Sequence, residues 1–276
     1  MRLTAAQLRV EQRSFWRNRQ AASFSFALPI LLVLLFGALF HGIGNVAPGI
    51  KFTSYFVSGM IGISVLSSTF NNLSISIAFQ RDLLVLKRLR GTPLGAGPLF
   101  AAKVLSSVVI VAIQVVIVLV LGRIEFGTIL PRNPVAFLVA VLAAIVVFSM
   151  GGVAFTAFIP NADSGPAIVQ VPFLVLQFIS GVFFNFQSEP GWLKVVANVF
   201  PVRWSLEAVR AGYLGFDFVH TRTVPALRGG TTQLAPKVHG LGAITHLGSA
   251  YGVMGAWLVL FTVIAVRRFR WEPRAV

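Results

Sequence analysis

The side chains able to do chemistry are few in this 276-residue chain, and their spacing excludes most reactions. Four histidines, His41, His220, His239 and His246, stand apart, with no HExxH or comparable ligand spacing. There is no cysteine, hence no disulfide, thiolate metal site or thiol nucleophile. Serines are many, but none sits in a GxSxG elbow, and no GxxxxGK[ST] phosphate loop is present. The eight acids are Glu11, Asp82, Glu125, Asp163, Glu189, Glu207, Asp217 and Glu272, and none falls in the middle of a long apolar run. Ion-driven transporters commonly carry an ionisable group at membrane depth. Work done by this chain would therefore draw its energy from outside the membrane domain. The natural docking surface is Gln80–Lys103, QRDLLVLKRLRGTPLGAGPLFAAK, which carries Arg81, Lys87, Arg88, Arg90 and Lys103 between two apolar runs.

The elements that position this stretch follow from hydropathy. The chain is 56% hydrophobic and 11% charged, against about 25% charged in soluble proteins. This predicts an all-α integral membrane protein whose spans form one domain. A net charge of +15 would suggest nucleic acid in a soluble chain. Here the cations cluster at the ends of apolar runs, as topology signals and contacts to membrane lipids, so no nucleic-acid partner is expected.

Six spans are expected, near Phe24–Gly42, Phe52–Ala78, Leu99–Leu121, Val135–Ile159, Pro166–Phe184 and Thr245–Val266. The first is too long and starts too far in to be a cleavable leader. Ahead of it, residues 1–22 carry five arginines with an aromatic edge. They read as an interfacial helix, or as a tail with topology charges. Residues 23–276 form the six-span domain. The first 22 residues, the basic loop and the C-terminal tail hold fourteen of the 23 Lys and Arg residues. That places both termini and the basic loop in the cytoplasm of a multi-pass protein of the cell membrane.

Polar residues inside the spans are the remaining candidates. Span 2 is rich in serine and glycine and carries Asn71 and Asn72. Such residues serve close helix packing, or line a path for a partly polar substrate. In span 5, Gln170 and Gln177 are two turns apart and share a face, with Pro172 between them as a kink. Either helix-to-helix bonding or substrate contact fits them. The long connection, 186–245, contains two apolar segments too short to span, near Gly191–Val199 and Val202–Leu214, separated by Pro201. On the second, Arg203 and Arg210 can each pair with Glu207. A helical pair dipping into the outer leaflet fits this pattern.

Together these features resemble the membrane subunit of ABC-2 type exporters, in particular the daunorubicin-type drug-resistance branch. LLVLKRLRGTPL, Leu83–Leu94, is similar to that family's G-x-L-K-R-L-R-x-T-P-L segment, although Leu83–Val85 replace the expected Gly or Thr. EPGWLKVVANVFPVRWSLEAVRAGYLG, Glu189–Gly215, resembles its P-x-W-L … P … E-A-[LV]-R signature. The resemblance implies that 80–98 is a coupling loop. Arg81, Asp82, Lys87, Arg88 and Arg90 would face a separate ATP-binding subunit, and Thr92 and Pro93 would end the coupling helix. Pro190, Trp192, Pro201, Glu207 and Arg210 would belong to an outer re-entrant hairpin between spans 5 and 6. Asn71, Asn72, Gln170 and Gln177 would lie near the central pathway. Two membrane subunits, identical or related, and two ATPases would make one transporter. No cofactor is expected in this chain, which lacks an ATP-binding motif; ATP and Mg would be held by the partner. Hydrophobic or amphipathic compounds would be the cargo. Export of a lipid or lipid-linked glycan, a non-transporting scaffold or sensor, and an ion-driven transporter are the competing readings, the last disfavoured by the acid-free spans.

Overall fold

A polar seam down the second apolar run organises the helices around it. The computed structural model describes residues 2–39, 45–47, 50–92, 94–182, 190–220, 222–225, 231–234, 236–240 and 242–272. Helix α1 (Arg2–Arg17) leads through Asn18 into α2 (Arg19–Leu39). A short hairpin, β1 (Asn45–Ala47) with β2 (Ile50–Lys51), precedes α3 (Phe52–Leu66). α3 runs through a π-helical segment, Ser67–Asn71, into α4 (Asn72–Asp82), making one continuous rod. Then come α5 (Val85–Arg90), α6 (Ala96–Phe126) and α7 (Pro134–Phe155), with a 3₁₀ turn at Thr156–Phe158. α8 (Gly165–Ile179), α9 (Gly191–Val199) and α10 (Pro201–Leu214) follow. The hairpin β3 (Arg222–Pro225) with β4 (Thr231–Leu234), α11 (Gly242–Thr245) and α12 (Gly248–Arg268) complete the chain.

Among the described residues, five helical stretches are long and apolar enough to cross a bilayer: Ala22–Leu39, Phe52–Asp82, Ala96–Phe126, Pro134–Phe158 and Gly248–Arg268. They coincide with five of the six expected spans. The expected fifth span falls on α8, whose 15 residues rise about 22 Å, short of the roughly 30 Å hydrocarbon layer. Its expected end at Phe184 lies outside the described residues.

The serines of the α3–α4 rod explain how it sits so deep. Ser64, Thr69 and Ser74 donate back to the carbonyls of Met60, Val65 and Phe70, so their hydroxyls are satisfied within the rod. Ser68 donates to Gln114 Oε1 at 2.7 Å, and Gln114 Nε2 donates to the Ser25 carbonyl at 2.7 Å. This links α2, the π segment and α6 through the one strongly polar residue of the third apolar run. Gly152 lets α7 come against the π segment: a Cβ there would stand 2.8 Å from the Thr69 carbonyl oxygen. Ser64, Ser68, Ser74 and Thr69 thus serve packing within and against the rod.

α10 is enclosed rather than peripheral. It packs against α7, α3 and α12, and all but one of its residues are buried. Gly212 permits the approach, since a Cβ would meet the Phe137 backbone at 2.5 Å. Apolar side chains of α3, α6, α7 and α10 form the main core, including Phe56, Met60, Val111, Phe148, Leu206 and Tyr213. A smaller cluster at the basic end joins Leu86, Leu94, Leu99 and Phe100 to Val153, Ala154 and Ala265. Phe24, Leu31 and Leu39 on α2 and Val259 and Val266 on α12 point outward, as in helices solvated by lipid.

Candidate functional site

The basic stretch folds as a short helix held at three points. α4 ends at Asp82, and Leu84 adopts a left-handed conformation, φ 56° and ψ 15°, before α5 begins. For a residue with a Cβ this costs roughly 1–2 kcal/mol, and it redirects the chain from the rod into α5. Leu86 is fully buried in the smaller cluster and anchors α5 from below. Thr92 then closes the helix: its hydroxyl donates to the Leu89 carbonyl at 2.6 Å and accepts from the Leu94 N–H. α5 itself ends at Arg90, two residues before Thr92; Pro93 lies outside the described residues.

The cations divide into two groups, which their sequence proximity did not announce. Lys87, Arg88 and Arg90 stand exposed on α5. Beside them Leu83 and Leu84 are also exposed, so the surface is cationic with an apolar margin. Arg81 points inward and is 2% exposed. Its guanidinium donates to the carbonyls of Thr156 (3.2 Å), Ile159 (2.8 Å) and Pro160 (3.4 Å). Those carbonyls follow the end of α7, and that of Thr156 also accepts from the Ile159 N–H. Asp82, next to it, accepts from the Ala162 N–H. The expectation that Arg81 faces a partner is therefore corrected: it and Asp82 clamp the α7–α8 turn to the end of α4. The cause is that a helix ending in carbonyls attracts the nearest cation.

Two acids complete the arrangement. Glu272, beyond α12, sits 3.7 Å from Lys87 and 3.8 Å from Arg90, all three side chains about half exposed. Phe269 packs edge-on against Phe100 and Trp271 against Phe269, tying the end of α12 to the base of α6. At the other flank, Glu11 of α1 meets Lys103 of α6 at 2.9 Å in a buried ion pair. Lys103 also donates to Gln80 Oε1 at 2.8 Å, and Glu11 accepts from Gln7 and Gln80. Burial alone would raise the Glu11 pKa. The adjacent ammonium and the hydrogen bonds from Lys103, Gln7 and Gln80 outweigh it and hold the carboxyl below its ordinary value of 4.5.

This pair alters the reading of two expectations. Lys103, grouped with the loop cations, is buried in α6. α1 is docked on α6, with Gln7, Glu11 and Gln12 turned inward and Leu3, Val10 and Trp16 outward. Its polar face thus meets protein, the reverse of a helix that floats alone at an interface. The signal was present: Glu11 is the single acid among five arginines, and Lys103 the single cation inside the third apolar run's first turns.

The other candidates scatter. Asn72 reaches toward Ser25 at 3.4 Å and faces a cleft beneath α1. Asn71, in the π segment, has a buried side-chain oxygen with no hydrogen-bond partner among the described residues. Gln177 is buried beside Gly62, Leu66 and Ser205, at a void of about 10 Å³. Gln170 is exposed. Seven residues apart, the two glutamines stay within about 20° of each other around the helix axis, at the edge of the buried stripe of Val169, Phe173 and Gln177, one buried and the other exposed. In the α9–α10 pair, Pro190 caps α9, Trp192 is exposed, and Pro201 opens α10. Glu207 binds Arg210 at 3.2 Å. Arg210 also donates to the Gly181 carbonyl and lies 3.8 Å over the Tyr55 ring. Arg203 lies over Trp204 at 5.0 Å.

The sequence aligns with known proteins over most of its length. It is 23% identical over 248 residues to a protein of Porphyra purpurea, covering 88% of this chain and 82% of the relative. It is 23% identical over 249 residues to one of Pyropia yezoensis, with the same two coverages. Both carry the name "Putative transport permease ycf38". The family model for ABC-2 type transporters matches residues 3–214, from α1 through the rod and α5 to the end of α10. The chain belongs to the ABC-2 type transporter family, as a multi-pass membrane component of transport.

Proposed function

We propose that the chain is the membrane subunit of an ATP-driven exporter, and that α5 is the coupling helix through which a separate ATP-binding subunit moves it. The observation that carries this is the division of the loop. Lys87, Arg88 and Arg90 are presented outward on a short helix, while Leu86, Arg81 and Asp82 fix that helix to the ends of α4, α7 and α8. A push on α5 is thereby delivered to several helices at once. In this reading the protein lies in the cell (cytoplasmic) membrane, with both termini and α5 on the cytoplasmic side. α8 stands in the place of the remaining span, and α9–α10 is the re-entrant pair on the far side. ATP and Mg stay on the partner, and two membrane subunits enclose the path. The cargo is a hydrophobic or amphipathic compound, as in the drug-resistance branch. Each ATP cycle must shift the balance of inward- and outward-facing states through this contact.

The test is co-purification and ATPase turnover with the candidate ATPase, comparing the native chain with Arg88→Glu. Arg88 is chosen because no described residue pairs with it, so folding is spared. Loss of docking or of substrate-stimulated turnover, with normal insertion, supports coupling. Unchanged docking and turnover in both Arg88→Glu and Lys87→Glu would reject it.

A further inference from the structure

Between α1, the α4 end of the rod and α6 lies a cleft of about 390 Å³, within the roughly 300–1,000 Å³ of small-molecule sites. It is unlike the rest of the protein's interior. Its one cation, Lys103, is matched by Glu11 and Gln80, so the cleft offers no unbalanced charge to an ionic ligand. What remains are hydroxyls and amides. Ser14, Asn72, Ser76 and Ser107 line it, and the hydroxyls of Ser14, Ser76 and Ser107 make no hydrogen bond to a described protein group. The floor is the π segment at Ser68, a distortion of the rod that places Asn72 and Ser76 toward α1. Apolar side chains complete the lining: Phe15 of α1, Ile75 and Phe79 of the rod and Leu83 just beyond it, of which Phe79 and Leu83 are exposed.

We propose that this cleft binds the head of an amphiphile, a neutral hydroxyl-rich group such as a sugar, with its hydrophobic body lying along Phe79 and Leu83. The donors and acceptors inside suit a polyol, which supplies both in equal measure. The apolar lip beside them suits the attached tail. Arg13 and Arg17 line a shallow groove with Val10 that shares Ser14 and Asn18 with the cleft, so an anionic head meets them outside the cleft rather than within it. The proposal uses the transport reading only in taking the cleft as a place where cargo enters from the side of the bundle.

The experiment is photolabelling of the full chain in phosphatidylcholine nanodiscs, without any ATPase, by a diazirine-bearing glucosyl diacylglycerol. Peptides are mapped by mass spectrometry. Labels on 14–18, 72–83 and 103–107 are expected. Ser76→Phe and Ser107→Leu, which fill the cleft, reduce them by about tenfold, the equivalent of one or two lost hydrogen bonds. Labels confined to the outward faces of α2 and α12, or unchanged in both filled variants, overturn the site. A dialkyl phosphate probe labelling the cleft as strongly as the glucoside overturns the neutral-head assignment. Competition by a soluble aryl glucoside assigns the site to a glycosylated small compound, and its absence to a lipid. Because no ATPase is present, failure of α5 coupling leaves this result standing, and failure here leaves coupling standing.

Discussion

Breaking the Glu11–Lys103 pair should undock α1, with a pH dependence that differs between its two ends. In Lys103→Met, Glu11 keeps only its neutral donors, Gln7 and Gln80, in a buried setting. The carboxyl can escape by taking up a proton. From an ordinary value of 4.5, protonation at pH 7 costs about 3.4 kcal/mol, at about 1.4 kcal/mol per unit. That is the ceiling of the penalty, and at pH 5 it falls to about 0.7 kcal/mol. Glu11→Gln instead leaves a buried ammonium facing amides, a loss of about 3–5 kcal/mol that acid does not relieve. The double variant Glu11→Gln/Lys103→Met removes both charges and should cost far less than the two single losses together, since neither ion is left alone. Amide hydrogen exchange of α1 in nanodiscs reads its undocking free energy directly. Rapid exchange in Lys103→Met at pH 7, slowed toward the native rate at pH 5 after correction for intrinsic exchange, is expected. Additive single losses, or a Lys103→Met penalty that does not fall with pH, would refute the idea that burial makes this pair matter.

Other perturbations follow from the same geometry. In the native protein Glu11 stabilises α1 docking above its ordinary pKa. That contribution disappears as pH falls through its lowered folded value, so α1 exchange should accelerate only below about pH 4.5. Arg81→Met strips the α7 terminus of its donors and should cost about 3 kcal/mol or more in unfolding by detergent titration, with Arg81→Lys recovering part; a loss under about 1 kcal/mol would return Arg81 to the docking surface. Gly152→Val drives side-chain atoms into the Thr69 carbonyl 2.8 Å from the Cβ position, and should destabilise by at least about 1–3 kcal/mol, measured the same way. Glu272→Lys places a third cation beside Lys87 and Arg90. Stability should change by less than about 1 kcal/mol because the pairs are half exposed, while binding of an acidic partner to α5 should become more salt-dependent, read by ATPase co-purification at two ionic strengths.

How much of this was legible depends on how local each determinant is. Apolar runs and basic ends are local, and the five long spans and α5 lie where composition puts them. Pro201 and Thr92 act locally, the one opening α10 and the other bonding to the last turn of α5. The misplacements are all of residues whose partners are far along the chain. Lys103 meets Glu11 across 92 residues, and Arg81 meets Thr156 across 75. In a loop of five cations, nothing in their order says which will find a helix terminus to cap. Gln170 and Gln177 differ in depth rather than in direction: a spacing of seven keeps them within about 20° around α8, yet Gln177 is buried and Gln170 exposed. The acid-free spans argued that no charge lies at depth. α10, too short to be counted as a span, carries Glu207 and Arg210 fully enclosed by α3, α7 and α12. That pair is held by the Gly181 carbonyl and the Tyr55 ring, which makes it a strut between α10, α3 and the end of α8 rather than a relay. A strut there ties the far end of the bundle to the same rod, α3–α4, that α5 follows at its other end. The two ends are thus joined by a single continuous helical stretch, whose α-helical pattern is interrupted only by the π segment beside the cleft.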